Sequence, residues 1–162
     1  GIMAKINSRS KGQRAERELV KRFSVWWGTD FARTPLSGGM GTLGKKFNVD
    51  VAGDITTDDP SFPFSVECKH HESWTLEQIF SDKCIFEKWW AQCCTAAHSS
   101  NKKPLLVFRK NHGPFYVMLV TGYDFDCPHF TFTRCSSIMS SYQPKTILLL
   151  EDFFKVPKEN WL

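Results

Sequence analysis

The sequence predicts an α/β domain built around a mixed central β-sheet. Three observations carry that reading. Apolar residues recur at three-to-four spacing from about Gln13 to Trp27, the period of a helix. The runs 47–55 and 62–70 alternate apolar and polar residues at strand period. A second helical stripe then separates these runs from two further apolar strands. The predicted order is α-β-β-β-α-β-β followed by a C-terminal extension.

The elements follow in order. Gly1-Ile2 before Met3 reads as an expression remnant, and residues 1–11 as a flexible basic segment. The first helix places Ala15, Leu19, Val20, Phe23, Trp26 and Trp27 on one side and stops at Gly28. Phe31-Ala32-Arg33-Thr34 is a short strand. Ser37 to Lys46 holds four glycines and two lysines, the composition of a basic loop that grips a nucleic-acid backbone. Within it, Gly39 to Lys45 approaches a phosphate-binding loop. However, Lys46 stands where Ser or Thr is required, and a strand follows instead of a helix, so no nucleotide cofactor is expected.

Thr57-Asp58-Asp59-Pro60 joins the two alternating strands. Thr75-Leu76-Glu77-Gln78 has the form of a capping box, with a stripe from Leu76 through Ile79, Phe80, Phe86, Trp90 and Cys93 to Ala97. Strands at 105–108 and 115–120 flank a turn at Asn111-His112-Gly113-Pro114. In the tail, Ile147–Leu150 reads as a strand and Asp152–Phe154 as the start of a short helix. The domain reading is a core over 12–120 with residues 121–162 packed on it as an extension.

A chain of 162 residues suits one domain. No apolar run nears the roughly 18 residues of a membrane span, and the N-terminus lacks a hydrophobic signal core. A soluble, cytoplasmic protein is expected. Six cysteines without a C-x-x-C read as reduced thiols. Cys94, His98, Cys127 and His129 make a weak zinc candidate, because their spacing matches no standard pattern. Residues 1–46 carry ten lysines and arginines against three acids, a net +7 in a chain whose total is +4. That imbalance points to a polyanion partner.

The chemistry concentrates in Phe64-Ser65-Val66-Glu67-Cys68-Lys69. Alternation sends Phe64, Val66 and Cys68 to one face and Ser65, Glu67 and Lys69 to the other, at the sheet's surface. Asn48 to Asp54 alternates in the same way, so a hairpin sets Asp50 beside Glu67. Two carboxylates next to a lysine are ligands for a hard divalent cation, which can activate water against a phosphodiester. Such acids on strands are also common as a plain solvated face. Glu16 shares a helix face with Val20, Phe23 and Trp27, where a carboxylate is costly unless something pairs with it.

These residues together resemble the archaeal-type Holliday junction resolvases of the PD-(D/E)XK nuclease superfamily, with its restriction-endonuclease-like core. Lys11 to Val20 resembles that family's opening helix, and Arg33 with Ser37-Gly38 its arginine and serine. Val49-Asp50-Val51-Ala52-Gly53 is similar to its metal-binding Asp strand, and Val66-Glu67-Cys68-Lys69 to its E-x-K strand. The match spans about residues 11–120 in the family's order. Val49 replaces the usual proline, the loop between Ser37 and Asp50 is longer, and the tail has no counterpart.

The resemblance implies a metal site for Mg²⁺ or Mn²⁺ made of Asp50, Glu67 and the Cys68 main-chain carbonyl, with Glu16 acting through water. Lys69 would orient or deprotonate the attacking water, and Asp54 would stand behind Asp50. Arg14, Arg17, Arg33, Ser37, Lys45 and Lys46 would hold DNA phosphates independently of sequence. The implied activity is symmetric cleavage of four-way junctions in DNA recombination and repair by a homodimer, of phage origin. Two rivals share these residues: a PD-(D/E)XK endonuclease acting on other DNA structures or specific sequences, and an inactive DNA-binding module.

Overall fold

The computed structural model describes residues 2–34, 53–134 and 143–162, with side chains from residue 9 onward. Seven strands form one mixed sheet: β1 (Phe31–Arg33), β2 (Ile55–Thr57), β3 (Phe64–His70), β4 (Lys103–Arg109), β5 (Tyr116–Leu119), β6 (His129–Phe132) and β7 (Lys145–Leu149). Their order across the sheet is β1-β2-β3-β4-β5-β7-β6. β3 and β4 are parallel, and the other paired neighbours are antiparallel. The parallel pair requires a crossover, which a 3₁₀ turn (Leu76–Phe80) and helix α2 (Ile85–Ser99) provide.

Helix α1 (Ile2–Trp27) covers one face of the sheet together with the short α3 (Leu150–Phe153). On that face Leu19, Phe23 and Trp27 pack with Val66, Leu105, Val107 and Phe153. On the other face Phe86, Trp89, Trp90 and Cys93 of α2 pack with Leu106, Phe108 and Met118. Both sides of β4 are therefore buried, and its sequence reads Leu105-Leu106-Val107-Phe108 without alternation, as a doubly covered strand should.

The α1 stripe is as the spacing predicts, and Gly28 ends the helix at φ +84. The helix begins at Ile2 and so takes in the stretch expected as a flexible basic segment, whose polar residues carry no apolar stripe from which spacing could show it.

Four expectations are corrected. First, of the strand expected over 47–55, residues 47–52 lie outside the described residues, and β2 begins only at Ile55. Gly53 and Asp54 form a bend ahead of it, since Gly53 sits at φ +73, outside strand geometry. Second, the stripe from Leu76 to Ala97 is two elements. Ser81 is extended (ψ 149), so Phe80 is thrown out of the stripe and is 91% exposed. Third, the capping box does not form. The Thr75 side chain makes no cap hydrogen bond, and the Gln78 amide donates to the Ser73 carbonyl at 3.5 Å. Fourth, Cys94 packs on the α2 side of the sheet and Cys127 on the α1 side, which separates two members of the zinc candidate. The described cysteines are free thiols.

Residues after 121 give more than the predicted strand. β7 joins β5, and β6, which has no clear sequence signal, forms the edge beyond it. No described helix is long and apolar enough to cross a membrane.

Candidate active site

The site is built where α1, the end of β1, the bend before β2 and the strand β3 converge. Register decides which acids meet. Ile55 is paired with Val66 in the antiparallel β2–β3 ladder. One step back on β2 and one forward on β3 therefore sets Asp54 opposite Glu67. Asp54, expected to stand behind Asp50, is itself in contact with Glu67, while Asp50 lies outside the described residues.

Three main-chain or side-chain bonds fix Asp54. Its N–H donates to the Val66 carbonyl at 2.7 Å, its carbonyl accepts from the Thr34 N–H at 2.8 Å, and its Oδ2 accepts from the Cys68 N–H at 2.7 Å. Gly53 makes the bend possible. It holds a positive φ, and a Cβ there would collide with the main chain of Val66. The Thr34 hydroxyl donates to the Gly53 carbonyl at 2.8 Å, so the bend is anchored from β1 as well.

Glu67 shares a hydrogen bond with Asp54, and burial pushes its carboxyl up to about 8; the Asp54 charge adds to this and Lys69 opposes it. Glu67 is partly buried instead of lying on an open surface, because α2 covers its side of β3. The Glu67 charge also raises the buried Cys93 thiol of α2, though burial is the main cause.

Glu16 projects from α1 toward the same acids. Burial raises its carboxyl above the ordinary carboxylate range, the Arg33 hydrogen bond lowers it, and the Asp54 charge raises it again. Arg33 Nε donates to Glu16 Oε2 at 2.9 Å, with both side chains partly buried. Arg33 thus holds a site acid in place, a role the sequence did not show. Arg14 and Arg17 are exposed on α1, with Arg17 close enough to Glu16 to lower its carboxyl. Asp50, Ser37, Lys45 and Lys46 lie outside the described residues.

The donor set suits a hard cation. Two carboxylates in contact repel each other when both are charged, and a divalent ion relieves that repulsion. Among the described residues no three His, Cys, Asp or Glu side chains gather closely enough to enclose an ion alone, so further oxygens would complete the sphere. Asp54 and Glu67 have the carboxylate oxygens that a hard divalent cation takes as ligands.

The sequence signal for Asp54 was present. It follows a glycine and directly precedes an apolar β-branched residue, Ile55, at the start of β2. Reading 47–55 as one strand hid it, because a continuous strand gives no reason to prefer 54 over 50.

Comparison with known proteins places this geometry. The chain is 29% identical over 119 residues to Protein D14 of Escherichia phage T5, covering 70% of this chain and 71% of that protein. No solved structure matches the chain. Residues 7–134 match the family model described as "Phage putative PDDEXK endonuclease". That span contains α1 from residue 7 onward, the Gly53–Asp54 bend and the Glu67-Cys68-Lys69 strand, and the chain belongs to this phage PD-(D/E)XK endonuclease family.

Proposed function

We propose that this nuclease is a divalent-metal-dependent endonuclease that resolves four-way DNA junctions as a homodimer, working in the host-cell cytoplasm. The observation that carries its catalytic part is the Asp54–Glu67 carboxylate pair, with Lys69 on the same strand face as Glu67. The junction preference rests on the resemblance of the opening helix and of Arg33 to the archaeal-type resolvases.

Asp54 and Glu67 would hold Mg²⁺ or Mn²⁺, together with the Cys68 main-chain carbonyl. When bound, such a cation supplies Lewis acidity toward the phosphate and its attacking water. The Cys68 N–H keeps the Asp54 carboxylate turned toward this position. Glu16, steadied by Arg33, accepts a hydrogen bond from water on the α1 side. The Lys69 ammonium orients the attacking water and donates to a non-bridging phosphate oxygen, where negative charge grows during in-line attack. The products are a 5′-phosphate and a 3′-hydroxyl. Asp50 is the rival for the Asp54 role, and separate asparagine variants distinguish them.

The test is cleavage of an end-labelled immobile junction beside a linear duplex of the same arms, with Mg²⁺ or EDTA. Paired symmetric nicks in the junction alone, lost with EDTA and in Lys69→Ala, support the resolvase. Equal cutting of the linear duplex keeps the metal site but moves the substrate to general or sequence-specific DNA. Junction binding without cleavage by the wild type would leave a binding module.

A further inference from the structure

We propose that the cleft between α1 and the β4–β5 turn binds a backbone phosphate of the DNA strand next to the scissile one. This rests on the endonuclease reading and adds a subsite to it. The cleft is lined by Lys11, Arg14, His70, Arg109, Asn111 and His112, with Ala15 in its wall. Ala15 precedes Glu16 on α1, and His70, paired with Arg109, closes β3 one residue past Lys69, so the cleft lies at the end of the sheet that carries Lys69, on the α1 face.

The charge balance favours an anion. Glu18, the acid in the wall, is already engaged by Arg109 Nη1 at 2.9 Å through one oxygen and by Arg22 Nη2 at 2.8 Å through the other. No ion pair among the described residues occupies Lys11 or Arg14. Two cations are thus free to face a ligand, and the Arg109 guanidinium is held rigid over the Phe115 ring at 4.5 Å.

The cleft is also preorganised. The His70 side chain, only 8% exposed, bridges its two walls. Nδ1 meets the Lys11 carbonyl at 3.2 Å and Nε2 meets Asn111 Oδ1 at 3.1 Å. The Asn111 N–H donates to Glu72 Oε1 at 2.8 Å, which ties down the turn. His112, at its tip, sits in the left-handed region at φ +58, a conformation a non-glycine residue keeps only when its surroundings enforce it. Point-charge lysine, forked arginine and turn-borne amide and imidazole groups are the contacts that position a nucleic-acid backbone without reading bases.

The test measures DNA binding against salt with Ca²⁺ replacing Mg²⁺, for wild type, Lys11→Ala/Arg14→Ala, and Lys103→Ala. Lys103 is exposed at the opposite end of β4 and serves as control. The double variant should bind about tenfold more weakly at low salt, with a log–log slope shallower by about 0.9 for the lost phosphate. Lys103→Ala should match wild type. In parallel, a single neutral methylphosphonate one or two nucleotides from the cleavage position should reproduce that slope change in wild type and add nothing in the double variant. Unchanged affinity and slope in the double variant, or full additivity with the methylphosphonate, would overturn the subsite while leaving the nuclease intact. Failure of the wild type to bind or cut any DNA would overturn the endonuclease reading and the subsite with it.

Discussion

Asp54 Oδ2 accepts the main-chain N–H of Cys68 at 2.7 Å, across the two strands that carry the site acids. One residue of β3 therefore orients the Asp54 carboxylate, and the proposed mechanism gives its carbonyl to the same centre. Asp54→Asn keeps the shape but removes the charge and swaps an acceptor for a donor. Cleavage should fall by at least about 100-fold, as for groups that fix a metal's surroundings. Asp50→Asn, measured in the same assay, should cost less. The reverse order would give the metal-binding role to Asp50.

Gly53→Ala should be as damaging as a substitution in the acids themselves. The positive φ and the contact with the Val66 main chain leave no room for a Cβ. We expect a loss of at least about 1–3 kcal/mol in stability, read by denaturant unfolding. Divalent-ion binding should be lost as well, even where the variant stays folded, because the bend aims Asp54.

The pair also sets a pH signature. Glu67 has its folded value raised from 4.5 to about 8, so between those values the folded protein holds more protons than the unfolded chain. Stability of the metal-free protein should thus be highest at the acid end of that window and decline as pH rises toward 8. Cation binding runs the other way. It tightens as pH rises, because binding displaces the proton that the raised Glu67 carboxyl holds on the acid side of that window. Thermal melts across pH, with and without Mg²⁺, show both trends, and Glu67→Gln should flatten them.

Phe23→Ala tests the platform that holds Glu16. Phe23 is fully buried and touches Trp26, Phe31, Phe62 and Phe154 by ring contacts. A cost of about 3–5 kcal/mol is expected from the cavity and lost burial. The residual folded fraction should cleave poorly, since α1 carries Glu16 and β1 carries its partner Arg33.

Much of the site was legible because it is local. Glu67 and Lys69 lie two apart on one strand, and the spacing alone puts them on one face. Glu16 stands out because a carboxylate beside an apolar helical stripe needs a partner. The Arg33 partnership was not legible, because 17 residues separate the two and only the packing of β1 beside α1 joins them.

By itself the sequence determined the α/β class, the α1 stripe, the Glu67–Lys69 face and the basic N-terminal stretch over residues 1–46. Each follows from a period of 2 or 3.6 or from a count of charges. Tertiary structure decided the rest. It set Asp54 beside Glu67, because the Ile55–Val66 register fixes their pairing and the bend before it passes too close to the Val66 main chain for any residue but Gly53. It brought the tail into the sheet, because β6 and β7 gain their hydrogen bonds only from strands far away in sequence. And it half-buried Glu67 on the side of β3 that α2 covers, raising the carboxyl of an acid that alternation alone would leave in water.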